Sequence, residues 1–189
     1  MRIVVNPGHS DYEPGALGPN GLTEASVNQQ VAIRLRDMGY ECKRQGRFLS
    51  ALTVGLRANK PDVLVSLHCN AGTTNRHECL VFYWLDDPDG RKRDLSHRLA
   101  AVIADHARGR FAEMTQPAVF PVWRDDKWFT PGIVKGTFKR AGVVVEMGFI
   151  SDPHVETAMR QSSWADRAAQ AIDAGIRAFV MQVEGGGGG

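Results

Sequence analysis

DVLVSLHC, residues 62–69, is a nearly unbroken apolar run of strand length. A strand with one wet face would alternate apolar and polar side chains. This run instead reads as a strand covered on both faces, the kind found in parallel sheets packed under helices. VVVEM at 143–147 has the same character, and Ile3–Val5 opens the chain in the same way. Each run carries a polar residue at or just beyond its carboxyl end: His68, Glu146, and His9 within NPGHS. Ordinary cores have little use for such residues there, whereas in open α/β sheets that edge is where active sites form.

Working outward, helix-like and strand-like stretches alternate. Val27, Val31, Leu35 and Met38 recur at helical spacing behind Glu24, and Gly39 gives a stop signal. Tyr40–Lys43 reads as a short strand, Leu49–Ala58 as a helix, and Cys79–Leu85 as a strand closed by the turn signal DDPDG. Leu95, Leu99, Val102, Ile103 and His106 form the stripe of a third helix. The stretch from about Arg110 to Gly142, with Trp123, Trp128, Phe129 and Phe138, reads as irregular. Asp152-Pro153 is a helix cap followed by a first-turn proline, and Trp164, Ala168, Ile172, Ile176 and Phe179 line a terminal helix. The predicted fold is α/β: a single domain over residues 1–183, with a mostly parallel sheet flanked by helices on both faces. Residues 184–189, nearly all glycine, are expected to be a flexible tail or linker. The loop from Pro7 to Thr23 is too long to be a mere connection.

Composition narrows the function classes. A net charge of +2 and a pI near 8.5 are far from a nucleic-acid footprint, so no nucleic-acid partner is expected. Arg91–Arg93 is broken by Asp89 and Asp94 and reads as a solvated helix start. The cysteines Cys42, Cys69 and Cys79 are odd in number and lack metal-binding spacing, so each is read as a small buried hydrophobe. No apolar run reaches the length of a membrane span. Met1 leads straight into RIVVN, which is not a signal-peptide pattern.

His9, Glu24, His68 and Glu146 supply two imidazoles and two carboxylates. Catalytic zinc centres are commonly built from two imidazoles and one carboxylate, with a further carboxylate for proton transfer. Taken singly, the residues are ambiguous. Glu24 suits a helix's first turn through the dipole alone, and His68 reads equally well as a satisfied core histidine. Glu146 after three valines is costly to bury unless paired, protonated or functional.

NPGHS, the helix opening at Glu24, SLHCNA and VVVEMGFISDP occur in that order. Together they resemble the zinc-dependent N-acetylmuramoyl-L-alanine amidases of the type 3 family, found in bacterial autolysins and phage endolysins. The likeness runs from Met1 to about Val183. Asn6 stands where many relatives have Asp, and Ser10 where many have Gly; neither is a proposed ligand. The resemblance implies one Zn²⁺ per chain held by His9, Glu24 and His68, with Glu146 as catalytic carboxylate. It implies peptidoglycan as substrate, cut at the amide joining the lactyl group of N-acetylmuramic acid to L-alanine. A wall-binding module beyond the glycine linker would fit this family. The expected place of action is the bacterial cell wall. It would be reached from the host cytoplasm at lysis, as for a phage endolysin, or by secretion, as for an autolysin whose signal is not part of this sequence.

Three rival readings are weaker. A cysteine amidase using Cys69 would want its thiol at a helix start, and Cys69 ends a strand. A zinc carboxypeptidase would need a close HxxE pair, which is missing, and a non-enzymatic wall-binding module has no use for Glu146. Among other residues, His106 is read as a core-edge residue, His97 as solvated, and His154 as a residue of a helix's first turn that nears the site only if the FISDP turn folds back. Asn70 and His77 are weaker candidates for the groove, and the aromatics from Trp123 to Phe129 are expected to pack a surface excursion rather than stack on sugars.

Overall fold

The computed structural model describes residues 1–72, 78–84, 89–111, 118–122 and 133–185. In chain order the elements are β1 (Ile3–Pro7), α1 (Glu24–Asp37), β2 (Glu41–Cys42), α2 (Leu49–Ala58), β3 (Val63–Asn70) and β4 (Leu80–Trp84). They continue with α3 (Gly90–Ala107), β5 (Ala118–Val122), β6 (Ala141–Phe149), α4 (Pro153–Met159) and α5 (Ser162–Gly185). The strands form one six-stranded sheet in the order β2-β1-β3-β6-β4-β5. β2, β1, β3 and β6 run parallel, whereas β4 is antiparallel to β6 and carries β5 parallel to itself.

Side chains alternate between the two faces of each strand, and this parity places the site. Val63, Val65, Leu67 and Cys69 of β3 join Val143, Val145 and Met147 of β6 in the larger core, under α1, α3 and α5. Val4, Leu64 and Val144 face the other way, into a smaller cluster with Leu56 of α2 and with Ile133, Val134 and Phe138. Counting on by twos puts Asn6, Ser66, His68 and Glu146 on the smaller-cluster face, beyond the apolar residues that fill it. Helices therefore cover both faces, as the sequence pattern predicts.

Three expectations need correction. The stretch from Arg110 to Gly142 contains β5, an edge strand whose Pro121 lies opposite Tyr83. A proline is tolerated there because no further strand needs its N–H. Met38 is exposed at the helix end rather than in the core. The buried stripe of α3 is Ser96, Leu99, Ala100, Ile103, Ala104 and Ala107, rotated from the expected one and rich in small residues. The cause is close helix packing, in which α5 approaches α3 backbone to backbone.

Gly175 of α5 marks that approach, since a Cβ there would lie 2.8 Å from the Cα of Ile103. Alanine favours a helix interior over glycine by about 1 kcal/mol. Overpacking a tight contact costs about 1–3 kcal/mol, so Gly175→Ala is expected to lower the urea midpoint. A raised midpoint would mean that α3 and α5 can separate at no cost.

Candidate metal centre

Three elements bring the site together. Beyond β1, the Gly8 N–H donates to the Leu67 carbonyl at 2.8 Å, carrying the pairing with β3 one residue further. Asn28 of α1 holds the same peptide from the other side, donating to the Gly8 carbonyl at 3.1 Å. His9 then adopts φ 65°, a left-handed conformation that costs a non-glycine residue about 1–2 kcal/mol. Gly8 has no room for a side chain, because a Cβ there would lie 2.2 Å from the His68 ring.

Glu24 enters from α1, whose cap Thr23 accepts a hydrogen bond from the Ser26 N–H at 3.3 Å. The preceding loop folds back on the helix start. The Glu24 N–H donates to the Ala16 carbonyl at 2.9 Å, and the Ala25 N–H to the Pro14 carbonyl at 3.0 Å. The carboxylate is 3% exposed and wedged between two imidazoles. Its Oε1 lies 2.9 Å from His68 Nδ1 and accepts the Cys69 N–H at 3.0 Å. Its Oε2 lies 3.2 Å from His9 Nε2 and accepts the Ala16 N–H at 2.9 Å. The two rings meet edge to face, with centroids 5.1 Å apart.

Glu146 sits on β6 directly opposite His68. It is 5% exposed, and its Oε2 has no hydrogen-bond partner among the described residues. The β3–β6 register shifts just past this pair, between His68 and Asn70, an irregularity that often lies beside active sites. Burial, and then the nearby charge of Glu24, push the Glu146 carboxyl up to about 8. Burial would also raise Glu24, but the His68 and His9 side chains and the Ala16 N–H outweigh it and hold the carboxyl well below the usual range. The hydrogen bond to Glu24 raises His9 against the opposing effect of burial.

These residues fit a divalent metal. One ligand atom from each of His9, Glu24 and His68 lies within 4.8 Å of the others, and two nitrogens with one carboxylate oxygen suit zinc. Glycines make the space: a Cβ on Gly15 would lie 2.5 Å from Glu24 Oε2 and 2.7 Å from the His9 ring. The cluster opens into a cleft of about 430 Å³. Asn6, Glu13, Gln45 and Asn70 line its polar wall, and Leu49, Ile133 and Val144 its apolar one.

Glu13, Gln45 and Asn28 carry no expectation from the sequence analysis. Glu13 and Gln45 are joined by a 3.0 Å hydrogen bond, and nothing in the pattern of either segment signals it. Asn28 carries a readable signal, a polar residue one helical turn after Glu24 on the same face. It is fully buried. Asn6 uses both ends of its amide. Its Nδ2 donates to the carbonyls of Lys43 at 2.7 Å and Pro7 at 3.3 Å, while its Oδ1 accepts from Ser66 Oγ at 2.8 Å. An ionised Asp could not donate to either carbonyl. Ser10 pairs through its backbone with Glu13, and its buried hydroxyl has no partner among the described residues.

Asn70 lines the cleft, although its Oδ1 accepts the N–H of Ala71 at 2.8 Å. His97 is exposed and packs edge-on against Tyr83, His106 is half-buried, and His154 is exposed beside a separate small pocket. His77 and the stretch from Trp123 to Phe129 lie outside the described residues. None of the three cysteines is in a disulfide. Cys69 is buried, its thiol pushed well up by burial, which removes the cysteine-nucleophile reading. No helix among the described residues is long and apolar enough to cross a membrane.

Known proteins are similar to this chain in sequence and in fold. The chain is 25% identical over 190 residues to the N-acetylmuramoyl-L-alanine amidase LytC of Bacillus subtilis, covering 94% of this chain and 35% of LytC. It is 23% identical over 220 residues to the N-acetylmuramoyl-L-alanine amidase AmiC of Neisseria meningitidis, covering 94% of this chain and 52% of AmiC. The chain thus spans about a third to a half of these relatives. The CwlD amidase from Clostridioides difficile, solved in complex with the GerS lipoprotein, superposes with a TM-score of 0.80 at 19% identity. That match covers 96% of this chain and 98% of CwlD and supports the fold. The sequence profile of one family spans residues 3–178, nearly the whole described fold and all four residues of the cluster, and by that match the chain belongs to the N-acetylmuramoyl-L-alanine amidase family.

Proposed function

We propose that this chain is the catalytic unit of a zinc-dependent N-acetylmuramoyl-L-alanine amidase acting on peptidoglycan at the bacterial cell wall. The observation that carries the reading is the convergence of His9, Glu24 and His68 beside a buried carboxyl with an unsatisfied oxygen, Glu146. The three would hold one zinc ion. Zinc bound there would supply positive charge that polarises the scissile carbonyl, acidifies water and offsets the Glu24 charge that raises Glu146.

The chain's own residues supply the rest. Glu146 Oε2, free of other hydrogen bonds among the described residues, takes the proton of the attacking water and returns it to the departing amine nitrogen. The water oxygen ends on the lactyl carbon, the C–N bond breaks to free the amine of L-alanine, and the new carboxylic acid gives its proton to that amine, leaving carboxylate and ammonium. Glu24 stays ionised throughout, because two imidazoles and two backbone N–H groups stabilise its charge. Residues 1–183 form this unit in our reading, and the glycine stretch beyond it would tether a wall-binding module.

Digestion of purified peptidoglycan tests the bond assignment. New alanine amino termini are expected, without new reducing sugar ends, and mass spectrometry should find free stem peptides beginning with L-alanine. A diaminopimelate, lysine or cross-bridge terminus would overturn the amidase reading while leaving a zinc hydrolase.

Glu146→Gln separates proton transfer from metal binding. Zinc content should stay near one per chain while turnover falls by about 10²-fold or more, whereas His68→Ala should lose both. The same variant has a signature in metal-free protein. The Glu146 carboxyl rises from 4.5 to about 8 on folding, so the folded state binds more protons than the unfolded one between those values. Wild-type stability attributable to this group therefore falls as pH rises through that window. A glutamine there stays neutral, so Glu146→Gln should melt with wild type near pH 5 and several degrees above it at pH 8.5. Equal melting at both pH values would show that Glu146 is not held protonated.

A further inference from the structure

Glu156, on α4, lies about 130 residues along the chain from the loop that delivers Glu24, yet its carboxylate is committed to that loop. It is fully buried. Its Oε2 accepts the backbone N–H and the side-chain Nδ2 of Asn20, both at 2.8 Å, and its Oε1 accepts the Leu22 N–H at 3.0 Å. Arg160 Nη2 donates to Oε1 at 2.9 Å and also to the Asn20 carbonyl at 2.6 Å. Burial alone would raise this carboxyl, but the N–H groups of Leu22 and Asn20 and the Arg160 guanidinium hold it at about 2. The loop is shaped to receive it: a Cβ on Gly18 would lie 2.5 Å from the Glu156 carboxyl carbon.

The held segment leads directly into the ligand cluster. Gly18 pairs with Leu22 and Gly21 with Gly18, and two residues after Leu22 the chain reaches Glu24. On the other side, α4 follows β6, the strand that carries Glu146. Glu156 therefore ties the segment bearing Glu146 to the segment bearing Glu24. A carboxylate that only capped its own helix would bond to α4 N–H groups, a role that Asp152 already fills.

We propose that Glu156 is a positioning residue for the metal centre. By fixing the Gly18–Leu22 turn it presets the Glu24 carboxylate between His9 and His68, so that metal is bound without first ordering the loop. The proposal rests on the metal reading given above.

Zinc affinity of the folded protein, measured by chelator competition at pH 7, tests it with no reference to turnover. Glu156→Gln keeps the volume but turns one acceptor oxygen into a donor facing other donors. It should weaken zinc by about 10-fold or more, in the range seen when groups supporting metal ligands are removed. Glu156→Asp, which keeps the charge, should recover part of the loss. Asp173→Ala serves as the stability control, since it removes the acceptor of the Tyr40 hydroxyl at 2.8 Å and of the Arg177 guanidinium, neither of which belongs to this loop. It should lower the melting temperature and leave zinc affinity unchanged. If Glu156→Gln fails to fold, Asn20→Ala removes one of the four hydrogen bonds and should still weaken zinc several-fold. Wild-type zinc affinity in the folded Glu156→Gln variant, or in Asn20→Ala where the former does not fold, overturns the positioning role. Absence of tight zinc binding in the wild-type protein overturns the metal reading instead.

Discussion

The structure turns on a single buried carboxylate. Glu24 is almost wholly removed from water, and each of its oxygens meets one imidazole nitrogen and one backbone N–H. An unpaired carboxylate in that position would be prohibitively costly. Everything around it can be read as what is needed to bring four partners to one side chain. The sheet supplies His68 and the Cys69 N–H from β3, the extension of β1 supplies His9, and the folded-back loop supplies the Ala16 N–H.

That convergence costs local freedom. His9 sits in a left-handed conformation, Gly8 and Gly15 cannot carry side chains, and Asn28 spends its amide holding the Gly8 carbonyl. Strain of this kind persists only where the surroundings over-determine it, and it clusters at functional sites. Glu146 is the complementary case. It lies opposite His68 in the sheet, is as buried as Glu24, and has an oxygen with no partner among the described residues. The two carboxyls are driven apart, Glu24 down by its imidazole and N–H neighbours and Glu146 up by burial and by Glu24 itself. A lasting anion that can hold a cation then stands beside a carboxyl able to exchange a proton near neutral pH.

Much of this was legible in the residues. Unbroken apolar runs at β3 and β6 announced a sheet covered on both sides, with His68 and Glu146 toward the carboxyl ends of those strands; that the two share a face is set by the β3–β6 register. The long Gly- and Pro-rich stretch before Glu24 was recognisable as more than a connection. Other features had no local signal. β5 is short and contains a proline, which argues against a strand until one knows that it lies at the edge. The α3 stripe rotated because α5 comes so close at Gly175, a fact about a second helix. Gln45 with Glu13, and Glu156 with Asn20 and Leu22, are pairings between distant segments that no periodicity encodes. Sequence patterns report which face is buried; they do not report which polar group will be waiting there.

In the proposed function, His9, Glu24 and His68 form a zinc site whose shape is already set by the fold. X-ray diffraction from crystals of the zinc-loaded protein, recorded on both sides of the zinc absorption edge, addresses it directly. One anomalous peak per chain is expected, within bonding distance of one nitrogen from each of His9 and His68 and of the Glu24 carboxylate. A fully active protein whose zinc lies elsewhere, or which shows no peak at these residues, would contradict it.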